Sequence, residues 1–204
     1  TYLAIRVAVE TIPPFLMSGT RFVIAGALTY LFLRARGAAP PQRIHWPAAI
    51  MVGALLLAGG SGLVSWVEQT IPSSIAALVI ATVPIWITLF DWLLFRGGRP
   101  DKRVVAGLLL GFLGIVLLIG PDQLAGTAAF SLTTLLILIL SPILWSFGSL
   151  YSRQAKLPQD SFMATAMEML AGGVVLLIMG LLTGEAARLD LAAISTISWL
   201  SFIY

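Results

Sequence analysis

The chain of 204 residues has no cysteine, one histidine and few charges, because Asp, Glu, Lys and Arg together make up 10% of it. A soluble domain carries about 25% charged residues, so this composition excludes a water-soluble globular protein. The missing cysteines exclude a disulfide scaffold, and the shortage of polar groups excludes a disordered chain. Cations are too few outside the loops for a module that binds nucleic acid.

Long apolar runs are what the sequence has instead, since 59% of its residues are hydrophobic and its mean hydropathy is +0.99. Six runs lie close to the length of about 20 residues that a membrane-spanning helix needs. They are continuous, whereas the strands of a membrane barrel alternate. The runs cover residues 12–33, 46–67, 73–95, 104–119, 130–151 and 162–183. We therefore predict an all-α, polytopic integral membrane protein.

Both ends of the chain carry shorter apolar stretches. Five residues precede Arg6, and the run over 194–204 is about half of a membrane crossing. We therefore expect both ends to lie inside helices, which makes six complete and two partial spans.

The cations alternate between loops. Nine of the twelve Lys and Arg residues lie in the loops after the runs 12–33, 73–95 and 130–151. These runs are the second, fourth and sixth spans when the partial N-terminal span is counted as the first. Short loops rich in Lys and Arg stay in the cytoplasm. The pattern therefore predicts that these loops lie inside and that Glu10, Glu68 and Glu185 lie at outer ends. The inner cations are Arg34, Arg36, Arg43, Arg96, Arg99, Lys102, Arg103, Arg153 and Lys156.

An internal repeat emerges when the chain is shifted against itself by 147 positions, which pairs Phe15 with Phe162 and Gly26 with Gly173. The shift aligns a helix end, a loop and a complete span without a gap. The repeat unit holds five spans, and an odd number turns the second copy the other way through the membrane. We expect a first repeat over residues 1–120, with its first span truncated, and the start of a second over 130–204.

Three segments carry a family resemblance: TYLAIRVAVETIPPFLMSGTRFVIAGAL over residues 1–28, WVEQTIPSSIAALVIATVPIW over 66–86 and RPDKRVVAGLLLGFLGIVLLIGP over 99–121. They resemble the EamA-domain permeases of the drug/metabolite transporter superfamily. The resemblance implies a ten-span bundle of two inverted five-helix repeats, here truncated. It also implies export or import of small metabolites, amino acids or drugs, and we expect a multi-pass protein of the bacterial inner membrane.

Three ionisable residues lie inside apolar runs, namely Arg21, Asp91 and Glu168. Such groups are costly in lipid and normally face a cavity or a partner. Arg21 and Glu168 approach the bilayer midplane from opposite sides, each about 12 Å in from its end of the span. The guanidinium could hold a substrate carboxylate, and Glu168 could meet an ammonium or carry a proton. Alternatively, the two pair with each other or with hydroxyls such as those of Ser18 and Thr165.

Asp91 differs, because it lies five residues before Arg96 near a cytoplasmic end. We expect it to reach the interface or to pair with a loop cation.

Two prolines fall inside predicted spans, Pro84 in the run 73–95 and Pro142 in the run 130–151. Proline removes a backbone donor and disturbs the preceding turn, and broken helices form the midplane sites of transporters. We therefore predict that both prolines line a substrate site together with Trp86, Ser141 and Trp145. A tolerated kink is the alternative.

Stripes of small residues occur on several spans, including Gly19 with Gly26 and the series Gly107, Gly111 and Gly114. Such stripes let helix backbones approach closely. Packing within the molecule is the first interpretation, and homodimerisation through Gly107 and Gly111 is the alternative.

We expect a transporter that works by alternating access, driven by an ion gradient or by exchange. Its expected partners are the lipid bilayer, a small-molecule substrate and a coupling proton or other ion. We expect no cofactor and no metal, because one histidine, no cysteine and no carboxylate cluster supply too few ligands.

Two other classes stay open, an intramembrane hydrolase and a non-transporting scaffold. The segment Gly59-Gly60-Ser61-Gly62 looks like the serine motif of rhomboid proteases, and its Ser61 would need a base within reach. His45 lies 16 residues earlier on the same span, about 24 Å away along a helix. We therefore predict that the protein is not an enzyme.

Overall fold

The computed structural model describes residues 2–119, 130–190 and 193–203. In these ranges the chain folds into helices joined by loops and contains no strand. The sequence Gly120-Pro121-Asp122 favours a turn, but it lies outside these ranges. A π-helical segment, Ala54–Gly62, joins α3 to α4 without interruption. The helices are α1 (Tyr2–Ala8), α2 (Pro14–Ala35), α3 (His45–Gly53), α4 (Leu63–Val67), α5 (Ser73–Ile80), α6 (Val83–Leu94), α7 (Lys102–Ile119), α8 (Leu132–Ser152), α9 (Ser161–Leu182), α10 (Glu185–Arg188) and α11 (Thr196–Ile203).

Five stretches in the described ranges are long and apolar enough to cross a membrane. Each agrees to within two residues, at both ends, with a run predicted from the sequence. The remaining predicted run, 104–119, also forms a helix, α7. The prediction of a polytopic all-α membrane protein is therefore confirmed. The five stretches are Pro14–Ala35, His45–Val67, Ser73–Leu94, Leu132–Ser152 and Ser161–Leu182.

Local sequence explains where the long helices begin and end. Pro14 opens α2, where its missing N–H is not needed. The Asp160 side chain caps α9 by accepting hydrogen bonds from two backbone N–H groups, the usual role of Asp at that position. Gly37 and Gly184, with φ of 87° and 74°, turn the chain after α2 and α9 in the left-handed region that favours glycine.

Helices α2 and α9 correspond in sequence and pack against each other. Shifting the bounds of α2 by 147 positions gives the bounds of α9, and Gly37 and Gly184 are related by the same shift. The two helices are antiparallel, because Gly19 contacts Leu177 whereas Gly26 contacts Leu170. This is the geometry that an inverted repeat predicts.

Helix α3 packs on α9 through glycines. A Cβ atom added to Gly53 would lie 2.5 Å from the backbone oxygen of Glu168 and 2.7 Å from the backbone nitrogen of Gly172. Only glycine permits so close an approach of two backbones. The core of the molecule is therefore a set of small-residue crossings on α9.

The glycine stripe of α7 behaves differently. A Cβ atom added to Gly107, Gly111 or Gly114 would meet nothing within 4 Å in the part of the chain that the structure describes. The expected packing of this stripe within the molecule is therefore not observed there. Dimerisation through it stays a prediction.

We predict that Gly53→Val destabilises the protein and that Gly107→Val does not. The added side chain of Gly53→Val would force α3 and α9 apart, and overpacking typically costs about 1–3 kcal/mol. Thermal unfolding of the purified protein in detergent should show a lower melting temperature for Gly53→Val alone. Equal melting temperatures for the two variants would contradict the close crossing.

Candidate functional site

A cavity of about 360 Å³ lies between the π-helical segment, the junction of α5 and α6, and α8. We call it the central cavity. It reaches the middle of two long apolar spans, and its walls are mainly aliphatic with one indole ring. The lining residues are Gly60, Ser61, Val64, Ile80, Val83, Ser141 and Trp145.

The span over Ser73–Leu94 is broken beside this cavity. Helix α5 ends at Ile80 and α6 begins at Val83, and Pro84 explains the break because it cannot donate to the carbonyl a turn earlier. The Thr82 hydroxyl at the break donates to the Val79 carbonyl at 2.6 Å. The indole N–H of Trp86 donates to the Thr82 hydroxyl oxygen at 3.1 Å. Trp86 therefore holds the break rather than lining the cavity.

The π-helical segment was not predicted from the sequence. Such segments are rare and often occur at functional sites. The Ser141 hydroxyl donates to the Gly60 carbonyl at 2.7 Å, and a Cβ atom on Gly60 would lie 2.6 Å from the Trp145 ring. Glycine at this position therefore lets the indole pack directly on the backbone. The available signal was the pair Gly59-Gly60, since glycine weakens a regular helix.

Pro142 has a different effect from Pro84, because α8 continues through it. The Ser146 hydroxyl donates to the Pro142 carbonyl at 2.6 Å and lies 3.2 Å from the Val83 carbonyl. Pro142 is buried next to the cavity, and Pro84 is exposed at the start of α6. One hydroxyl thus connects α8 to the broken span.

Arg21 and Glu168 lie elsewhere, on the packed pair α2 and α9, and neither lines the central cavity. The contact of Gly19 with Leu177 fixes the register, which offsets the two residues by about 10 Å along the helix axes. No ion pair within 4.0 Å joins them in the described ranges. The Arg21 guanidinium lies 6.0 Å from the centre of the Phe22 ring.

The hydroxyls considered as partners for these charges donate to other groups. Ser18 donates to the Ser65 hydroxyl at 3.2 Å, and Thr165 donates to the Ser161 carbonyl at 2.9 Å. A substrate-binding role for Arg21 and Glu168 stays a prediction.

Asp91 lies where α6 turns into the following loop. Its backbone carbonyl accepts a hydrogen bond from Gly97 at 2.7 Å, and Arg96 takes the left-handed position with φ of 61°. This pattern closes the C-terminus of a helix. The backbone of Arg96 therefore forms part of the turn that ends α6 and returns to the Asp91 carbonyl.

Ser61 and His45 lie on one continuous span, His45–Val67, which places them about 24 Å apart along its axis. The His45 Nδ1 atom accepts a hydrogen bond from the Gln42 backbone at 3.2 Å. The described structure therefore brings no histidine to Ser61.

Two glutamates at the opposite end from the basic loops, Glu68 and Glu185, are buried, although their places at the ends of apolar runs favour exposure. We call this region, with Glu10, Glu68 and Glu185, the acidic end. The Glu185 carboxylate accepts hydrogen bonds from Phe15 at 3.3 Å and Leu16 at 2.9 Å. These are free N–H groups at the start of α2, where negative charge is favourable.

Glu68 lies one residue beyond the span His45–Val67 and has 0% of its surface exposed. Burial raises the pKa of its carboxyl to about 7, although the charge of Arg6 acts in the opposite direction. The sequence offered no signal for this burial, because a glutamate after an apolar run normally ends in water.

Known proteins similar to this chain are transporters. The EamA-like transporter family matches residues 1–120. The inner membrane transporter YedA of Escherichia coli K12 is 41% identical over 91% of this chain and 58% of its own length. The transporter YvbV of Bacillus subtilis is 26% identical over 92% of this chain and 60% of its own length. The chain thus spans about three-fifths of these relatives.

One crystal structure superposes on 99% of this chain and 70% of its own chain, with a TM-score of 0.67 and 25% sequence identity. It supports the fold of the described residues.

A bundle of membrane-length helices defines the class of protein, a multi-pass integral membrane protein. The chain belongs to the EamA-like transporter family. The family resemblance stated from the sequence is thereby confirmed. The expected location of the protein in the bacterial inner membrane is confirmed as well.

We predict that Ser141→Ala destabilises the protein by about 1 kcal/mol, the usual net value of one hydrogen bond. The change removes a buried donor to the Gly60 carbonyl. Thr183→Val serves as control, because the exposed Thr183 hydroxyl bonds only within its own helix end. Thermal unfolding in detergent should lower the melting temperature for Ser141→Ala more than for the control, and the reverse order would contradict the contact.

Proposed function

We propose that the transporter moves a small metabolite by alternating access and that the central cavity is its substrate site. The supporting observation is the coincidence of a broken span and a π-helical segment on one cavity. Irregular backbone at membrane depth is tolerated only where it is buried in protein or lines a cavity. Discontinuous helices supply the substrate sites of many transporters.

The cavity chemistry favours a solute with an apolar group. Its volume of about 360 Å³ is near the lower end of the range of about 300–1,000 Å³ for small-molecule sites. Aliphatic side chains and the Trp145 indole form most of the wall, and Ser61 and Ser141 supply hydroxyls. None of its described lining residues is charged. We therefore propose an amino acid with an apolar side chain, or a drug-like molecule of similar size.

The other predicted site residues have indirect or separate roles in this proposal. Pro84 creates the break and Trp86 holds it, whereas Pro142 shapes the cavity wall formed by α8. A zwitterionic solute would contact Arg21 and Glu168 only if it bound along the α2–α9 pair, which lies away from the central cavity.

The driving motion in this proposal is rocking of two repeats, 1–120 and the part that begins at 130. The matching bounds and antiparallel packing of α2 and α9 support this division. An ion gradient or exchange of substrates would supply the energy.

We predict saturable uptake of at least one radiolabelled apolar amino acid by proteoliposomes that contain the intact protein. Val83→Trp should abolish this uptake, because the indole would fill the cavity that Val83 lines. Leu140→Trp is the matched control, since Leu140 is an exposed residue of α8 and should keep normal uptake.

Uptake that survives Val83→Trp would contradict the cavity assignment. Absence of saturable uptake for every amino acid and drug tested would contradict the substrate class. Cleavage of a peptide without any flux would support the hydrolase instead.

We predict that the basic loops face the cytoplasm and the acidic end faces the outside. The chain has no cysteine, so single cysteines can be introduced without background at the exposed positions Gly98, Gln154 and Gln69. In right-side-out membranes, an impermeant maleimide should label Gln69→Cys and should label the other two variants only after permeabilisation. Labelling of Gly98→Cys and Gln154→Cys from opposite sides would contradict the topology.

A further inference from the structure

The Glu68 carboxyl group is buried without a partner. Its side chain has 0% exposure, and no hydrogen-bond donor in the described ranges reaches either Oε1 or Oε2. An unpaired carboxylate in such surroundings is strongly unfavourable. A buried carboxyl group avoids this cost by keeping its proton. The described conformation therefore suits the neutral acid.

Arg6 lies close by, but its hydrogen bonds go to the backbone. Its Nη1 atom donates to the backbone carbonyl of Glu68 itself and, at 3.1 Å, to the carbonyl of Ile71. The guanidinium thus holds the turn after α4 and leaves the Glu68 carboxyl group free of direct contact. Its positive charge nevertheless favours the carboxylate form, which places a counter-ion within a short movement of Glu68.

A cavity of about 330 Å³ at the acidic end is lined by Arg6 and Glu68. Glu10 and Gln69 complete its polar wall, and Val9 its apolar wall. A larger cavity of about 510 Å³ is lined by the same Val9, Glu10 and Gln69. Glu68 is therefore separated from open space at the acidic end by few side chains.

The charged groups that face Glu68 come from one side. Arg6 belongs to α1 and Glu10 follows it, and both line the cavity with Glu68. Val67, which directly precedes Glu68, belongs to a buried apolar cluster with Ile75 of α5 and Leu138 of α8. Within the described ranges, burial favours the neutral form of Glu68, and the charge of Arg6 opposes it.

We propose that Glu68 is a proton-binding site of the transporter, loaded in the described conformation and emptied when the acidic end rearranges. On release, the O–H bond of the carboxyl group breaks, the proton passes to water and the carboxylate keeps the electron pair. The carboxylate then pairs with Arg6 or meets solvent, and reloading reverses these steps. We propose further that proton release at Glu68 is coupled to transport, with the proton as the coupling ion. This coupling rests on the proposed transport function.

The sign of the pH dependence follows from burial. The buried group holds its proton up to about pH 7, whereas an exposed glutamate loses it near 4.5. Between these values the described conformation binds a proton that a solvated Glu68 would release. It is therefore favoured as the pH falls from about 7 toward 4.5 and loses that advantage as the pH rises.

Infrared difference spectroscopy of the intact protein in lipid nanodiscs tests the site directly, with the proton as the only ligand. During titration from about pH 5 to about pH 9, the C=O band of a protonated carboxyl group should disappear with a midpoint near neutrality. Glu68→Gln should lower the amplitude of this band by the contribution of one carboxyl group, and the variant should fold normally because the amide mimics the neutral acid. Glu10→Gln, which changes an exposed carboxylate in the same cavity, should retain it.

Arg6→Gln should move the midpoint to higher pH, because the neighbouring positive charge is removed. A neutral-range band of unchanged amplitude in Glu68→Gln would overturn the proton site, and so would the absence of this band from the unmodified protein. An unchanged midpoint in Arg6→Gln would overturn the role of Arg6. No substrate is added in the infrared titration, so its result is independent of the uptake experiment that tests the proposed transport function.

Discussion

The close antiparallel packing of α2 against α9 is the contact on which the rest of the structure depends. Lipid offers no hydrophobic force between helices, so association depends on van der Waals contact and hydrogen bonds. Glycines on both helices bring the backbones together, and α3 packs on α9 in the same way. The Glu185 carboxylate closes this junction by capping α2. A helix from each predicted repeat therefore contributes to one central joint.

Side-chain hydroxyls make an irregular cavity wall compatible with lipid. Backbone groups that lose their helical partner must find another inside the protein. Ser141 donates to the Gly60 carbonyl of the π-helical segment, and Thr82 donates within the break between α5 and α6. Ser146 reaches across to Val83. Three hydroxyls thus connect the elements around the central cavity.

Three glutamates at the acidic end show how environment decides the role of one residue type. Glu185 is buried but meets two backbone N–H groups, so its charge is compensated. Glu10 is exposed. Glu68 is buried without a donor, and only this combination favours a neutral acid that can exchange a proton.

The sequence by itself determined the class of protein, the positions of the spans and the family, because apolar length, charge placement and motifs are properties of local segments. It also located the break at Pro84 and two of the cavity residues, Ser141 and Trp145. Tertiary structure decided the rest. The separation of Arg21 from Glu168 depends on the register between α2 and α9, and the burial of Glu68 depends on residues of other elements that surround it, among them Arg6 of α1. Neither can be derived from one segment, since each requires knowing which helices are neighbours.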